Sequence, residues 1–200
     1  MTQPATSAPN PQLIYTLTVP CFPDSLMVLE GLAETFIDES SHLPGDIALV
    51  LRLSVSEACR NALNQGAPQG RLNLVTMSVW RLGPADVFDF ALEIEDPGTG
   101  LQIGGFKPPY RSFQQGTETT LLRVLGQDVK AHIEDAYQVR LFAGKADSSD
   151  DAVPREALIQ GASEKGLGLL ALVRCWQTVI FSYDEEKGTK LRLEKPKLVL

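Results

Sequence analysis

Two hundred residues with 44% apolar side chains supply enough hydrophobic surface for one sizeable core, and at about 150 residues per domain the length favours a single domain with an insertion over two domains. Eighteen basic against 25 acidic residues give a formal charge of -7, with no basic run able to neutralise a phosphate backbone, which argues against a nucleic-acid partner. The acidic balance leaves a nucleotide pocket open, because such a pocket relies on backbone N–H groups, helix dipoles and Mg2+ rather than on net charge.

Cys21, Cys59 and Cys175 are widely spaced, with neither a CxxC pair nor a nearby His. They suggest no disulfide framework and no zinc site, and a reducing cytoplasm suits them best. The opening "MTQPATSAPNPQ" lacks a basic and then an apolar region, so residues 1–12 read as a disordered tail. No apolar run approaches the roughly 20 residues needed to cross a bilayer, and no internal repeat is present.

"LIYTLTV", residues 13–19, mixes β-branched and aromatic residues and predicts a strand ended by Pro20. After Pro23 and Asp24, the three- and four-residue spacing of Leu26, Leu29, Leu32, Ala33 and Phe36 predicts a helix. "HLPGD" breaks it. Asp46 can cap a second helix with Ile47, Leu51, Val55, Ala58 and Ala62 on its apolar face, stopping at Gly66, where a left-handed C-cap is expected. "RLNLVTMSVWRLG" and "DVFDFALEIED" each alternate with a period of two across a Gly83-Pro84 loop, the pattern of an antiparallel hairpin.

Residues 104–163 read as an insertion. A helical pattern is expected around "TLLRVLGQDVKAHIEDAYQVRLF", followed by the acidic, polar "GKADSSDD". The chain then gives a helix over "LLALVRCW", a strand over "TVIFSYD", the turn "EEKG" and a strand over "TKLRLEK". The order predicts an α/β two-layer sandwich over residues 13–197, with a mixed, mainly antiparallel sheet and helices on one face.

Four groups of residues carry chemistry. Glu57 and Asn61 stand one turn apart on one helical face; an Asn oxygen is a competent hard ligand for Mg2+, and a neighbouring carboxylate can accept a hydroxyl proton. Asp96 ends a strand in "LEIEDPGTGL", which on its own is also an ordinary surface turn. Gly166 and Gly168 lie where a loop becomes a helix, so phosphates could approach unpaired N–H groups, with Lys165 adding a charge. Gly188-Thr189 sits in the final hairpin, where a plain turn is equally served.

In this order the four pieces resemble the GHKL ATPase superfamily, and within it the anti-sigma-factor serine kinases and switch kinases. "LRLSVSEACRNALNQG" looks like their N box, "LEIEDPGTGL" like their first glycine box and "EKGLGLLALVRCW" like their second; the likeness covers residues 13–103 and 163–195. It implies a Bergerat-type ATP-binding fold. It further implies that Asn61 coordinates Mg2+ on ATP, that Glu57 is the base for the attacking hydroxyl, and that Asp96 accepts a hydrogen bond from the adenine amino group. Gly98 and Gly100 would admit the base, Gly166, Leu167 and Gly168 would line the phosphates, and Thr189 would close the adenine side. Two features depart from the family pattern. Gln65 stands where a His is usual, and the segment between the glycine boxes is long. That segment reads as an enlarged ATP lid hinged at Gly104-Gly105, a docking surface for a partner or a partly disordered stretch, and a helical lid with a floppy acidic end is the favoured expectation.

The resemblance implies a cytoplasmic Mg-ATP-dependent protein-serine kinase in a partner-switching pathway. Its partners would be a STAS-domain antagonist and a sigma factor, with no membrane contact; whether the first helix mediates a homodimer is left open. The alternatives are a regulatory module that binds ATP without kinase turnover, and the ATPase half of a sensor histidine kinase. The latter is the weaker, because His42 precedes Leu-Pro-Gly in a loop and His132 lies inside the insertion.

Overall fold

The structure, a computed structural model, describes residues 11–39, 45–66, 73–83, 89–144 and 166–197. In chain order these form β1 (Gln12–Pro20), α1 (Ser25–Glu39), α2 (Gly45–Gly66), β2 (Leu74–Arg81), β3 (Phe90–Asp96), β4 (Glu118–Val124), β5 (Gln127–Ile133), β6 (Gln138–Ala143), α3 (Leu167–Cys175), β7 (Trp176–Asp184) and β8 (Gly188–Pro196). One eight-stranded sheet runs β1-β2-β3-β8-β7-β6-β5-β4. Every pairing is antiparallel, so the sheet is not the expected mixed one.

The period-two alternation of the strands sorts side chains between two faces. One row joins Leu17, Met77, Ile94, Leu191, Phe181, Val139 and Ile133 across seven strands, and it is apolar throughout. The neighbouring row carries Thr16, Ser78, Glu93, Arg192, Ile180, Arg140 and His132. The apolar rows face the helices: α1 packs on β1, α2 on β2 and β3, and α3 on β7, β6 and β5. Edge-to-face rings link the layers, with Phe36 of α1 at 4.7 Å from Phe90 of β3, and Phe90 at 5.3 Å from Trp176. The indole N–H of the buried Trp176 donates to Ser54 Oγ on α2 at 3.0 Å, so the largest core side chain leaves no polar atom stranded. All five residues expected on the apolar face of α2 are buried.

The insertion is where expectation and structure part. Its central stretch forms three strands that continue the sheet from β7, not a helix and not a helical lid. Leu121, Leu122, Val124 and Leu125 imitate a helical spacing, but Leu125 and Gly126 take positive φ, 49° and 75°, and turn β4 into β5 in a two-residue hairpin. Val129, Ala131 and Ile133 then alternate into the core. The free edge of β7 offers hydrogen bonds that a helix could not use. The acidic stretch 145–163, His42, the Gly83-Pro84 loop beyond residue 83 and residues 1–10 of the expected tail lie outside the described residues; the tail expected over residues 1–12 is shorter at its far end, because Gln12 already pairs with Arg81 in β1.

Gly66 ends α2 as expected, though not in a left-handed conformation. Its requirement is steric: a Cβ there would stand 2.5 Å from Cys21 Sγ and 3.1 Å from Pro97 Cδ. Thus the residue after β1, the end of α2 and the loop after β3 meet at one point. No described helix is long and apolar enough to cross a membrane.

Candidate functional site

Leu92, Ile94 and Asp96 point to the helical side of β3 by strand alternation, and each is buried. Asp96 is therefore a carboxylate placed where the pattern calls for an apolar residue, only 7% exposed. Its Oδ1 accepts the Gly98 N–H at 2.7 Å, the one hydrogen bond to this carboxylate among the described residues. Burial pushes the carboxyl from 3.8 up to about 6, against the opposing pull of the Gly98 amide. Directly across β8 stands Thr189, also buried, whose Oγ1 accepts the Gly100 N–H at 2.9 Å.

The glycines of this corner are needed by the protein's own packing. Gly100 and Gly188 have φ of +80° and +94°; a Cβ on the first would stand 2.3 Å from Pro108 Cγ, and on the second 2.2 Å from the Asp96 carbonyl oxygen. A Cβ on Gly98 would meet Asp96 Oδ1 at 2.4 Å. Close approach is real at all three, but the approaching atoms belong to this chain.

A cavity of about 330 Å³ opens over this corner, at the lower end of the range for small-molecule sites. Asp96 and Thr189 both line it. Ile94, Leu172, Phe181 and Leu191 form an apolar wall, α2 contributes Asn61 and Gln65, and the loop after β3 supplies Thr99, Gln102 and Lys107. Asp96, Thr189, Asn61 and Gly100 thus line one cavity, and Gly98 is not among its lining residues.

Glu57 does not line it. It lies in a neighbouring cleft of about 50 Å³ with Arg60, Leu167 and Gly168. Asn61 joins the two spaces: its Nδ2 donates to Glu57 Oε1 at 3.3 Å, while its residue lines the larger cavity. Arg60 stands 3.5 Å from Glu57 Oε2. Gly168 presses directly on the carboxylate, since a Cβ there would lie 1.8 Å from Glu57 Cγ. Gly166 caps α3 with φ 93° and no side-chain cap, and Leu170 N–H reaches back to its carbonyl at 3.3 Å. The first N–H groups of α3 therefore open beside Glu57. Leu167 lines the same small cleft but is itself only 2% exposed. Lys165 lies outside the described residues.

Sequence reasoning missed Lys107, Gln102, Phe181 and Leu172. The two apolar ones follow from alternation and helical spacing once the sheet order is known. Lys107 carries no pattern at all, because an irregular loop brings it to the cavity.

Among the described residues no three His, Cys, Asp or Glu side chains gather to hold a metal ion. A divalent ion here would need most of its ligands from the bound molecule and water, the habit of Mg2+ on phosphates. Asn61 suits that role, because its amide nitrogen is engaged by Glu57 and its oxygen has no hydrogen bond among the described residues. No family model matches this chain, and no curated protein matches it.

Proposed function

We propose that this chain binds Mg-ATP in the cavity over Asp96 and acts as a protein-serine kinase of the GHKL kind. The observation that carries the reading is a buried carboxylate lining a cavity with an apolar wall, joined through Asn61 to a second carboxylate at the N-terminus of a helix. A purine edge bearing an amino donor satisfies Asp96, and its faces suit Phe181, Leu172 and Ile94. From there the phosphates run toward Asn61 and the amides at the start of α3, where the helix dipole favours anions.

When bound, Mg2+ held by Asn61 supplies neutralisation of phosphate charge. The rest of the chemistry belongs to side chains. Glu57 takes the proton of a serine hydroxyl as its oxygen bonds to the γ-phosphorus, and the bond to the bridging oxygen breaks to release ADP. The family resemblance makes a STAS-domain antagonist the acceptor, with a sigma factor as the second partner.

One observation favours binding without turnover: Glu57 is engaged by Arg60 and packed on Gly168, apart from the main cavity. The two readings separate with Glu57→Gln. Radiolabelled ATP and a STAS-domain acceptor should give serine phosphorylation with the parent and none with the variant, at equal ATP affinity. Tight ATP binding by the parent with no transfer to any acceptor selects the regulatory reading.

A further inference from the structure

The loop from Leu101 to Tyr110 is built to hold one cation over the cavity. Ile103 and Phe106 exchange both backbone hydrogen bonds, N to O at 2.8 and 2.9 Å, around Gly104 and Gly105. On the other side, Pro108 packs into the space left by the missing Cβ of Gly100, and the Tyr110 hydroxyl donates to the Leu101 carbonyl. Tyr110 itself is 3% exposed, and its N–H is bonded to the Ala136 carbonyl at 2.7 Å. The segment expected to hinge is thus tied at both ends.

Lys107 stands between these ties. It lines the cavity, and its ammonium donates to Thr99 Oγ1 at 2.6 Å, a neutral partner on the cavity's own rim. No other Lys or Arg among the described residues lines this space. A rim cation on a braced backbone, with no carboxylate in hydrogen-bond contact among the described residues, meets an anion at little ordering cost.

We infer that Lys107 is a specificity residue of this site, contacting the phosphate chain of the bound nucleotide and setting the preference for phosphorylated over unphosphorylated adenine compounds. The inference rests on the nucleotide reading above, and the test separates the two. Adenosine, AMP, ADP and ATP are titrated calorimetrically, without divalent metal, into the full chain and into Lys107→Met and Lys107→Arg.

The parent should bind ADP and ATP more tightly than adenosine. Lys107→Met should lose about tenfold for the phosphorylated ligands, the scale of one hydrogen bond to a charged group, with adenosine binding unchanged and a flatter dependence on salt. Lys107→Arg should restore most of the loss. Equal weakening of adenosine and ATP in Lys107→Met, or no change for either, overturns the inference while leaving the nucleotide reading intact. If the parent binds neither adenosine nor ATP, the nucleotide reading falls and the inference with it.

Discussion

Replacing Asp96 by Asn isolates the two consequences of burying a carboxylate in this cavity. The Asn oxygen can keep the Gly98 N–H bond at 2.7 Å, so the loop is retained. Toward the ligand, however, an acceptor becomes an amide that presents a donor to the adenine amino group. Loss of a hydrogen bond to a charged, buried acceptor is worth about 1–3 kcal/mol, or about 5- to 150-fold in Kd. The fold should respond in the opposite direction. The carboxyl is raised from 3.8 to about 6 by burial, which corresponds to about 3 kcal/mol against the ionised form.

The sign follows from proton linkage: a carboxyl with a raised folded pKa favours folding below the unfolded value of 3.8, and that support is lost as pH rises through about 6. Asp96→Asn should therefore raise stability at pH 8, with the gain shrinking toward zero near pH 4. Urea melts at both pH values and ATP titrations from pH 5 to 8 check this. Affinity of the parent should fall below pH 6 as Asp96 takes up a proton, and the variant should lack that dependence. A variant that binds ATP as the parent does, or that is less stable at pH 8, refutes the assignment of Asp96.

Gly168→Ala should displace the Glu57 side chain, which its Cβ would meet at 1.8 Å; phosphotransfer should drop sharply while thermal unfolding changes little. Asn61→Ala should abolish the gain in ATP affinity that Mg2+ gives, leaving metal-free binding intact, as paired titrations with Mg2+ and with chelator would show. Gly188→Ala forces a side chain onto the Asp96 carbonyl at positive φ, against backbone that cannot swing aside. It should cost about 2 kcal/mol or more in urea unfolding.

The frame of the fold was legible wherever the hydrophobic period was unambiguous. The α2 face and the β2–β3 hairpin came directly from spacing, and alternation on β3 turns Asp96 inward. The insertion was misread because four aliphatic residues around Leu122 fit a helical spacing as well as a strand ending in a Leu-Gly turn. What decided between them was the open edge of β7, a tertiary fact that local pattern does not contain. At Gly66 the residue type was informative and its mechanism was not, since the crowding comes from Cys21 and Pro97, far away in sequence.

The site shows a similar limit. Four helical residues advance about 40° beyond a full turn, so spacing placed Glu57 and Asn61 on one face without revealing that they serve adjacent clefts. The spacing of Gly98 and Gly100 does not show that a Cβ on either would collide with Asp96 or Pro108 of the same chain. Lys107 was invisible because nothing in "GGFKPPY" shows which way the loop folds.

The claim at the centre is that Asp96 reads the amino group of adenine, and the exocyclic group of the base tests it most directly. Guanine presents an oxygen acceptor where adenine presents that donor. Calorimetric titration of ATP and GTP into the parent chain with Mg2+ should show ATP favoured by about tenfold or more, with the preference lost in Asp96→Asn. Equal affinity for the two nucleotides, or a preference that survives the substitution, would contradict it.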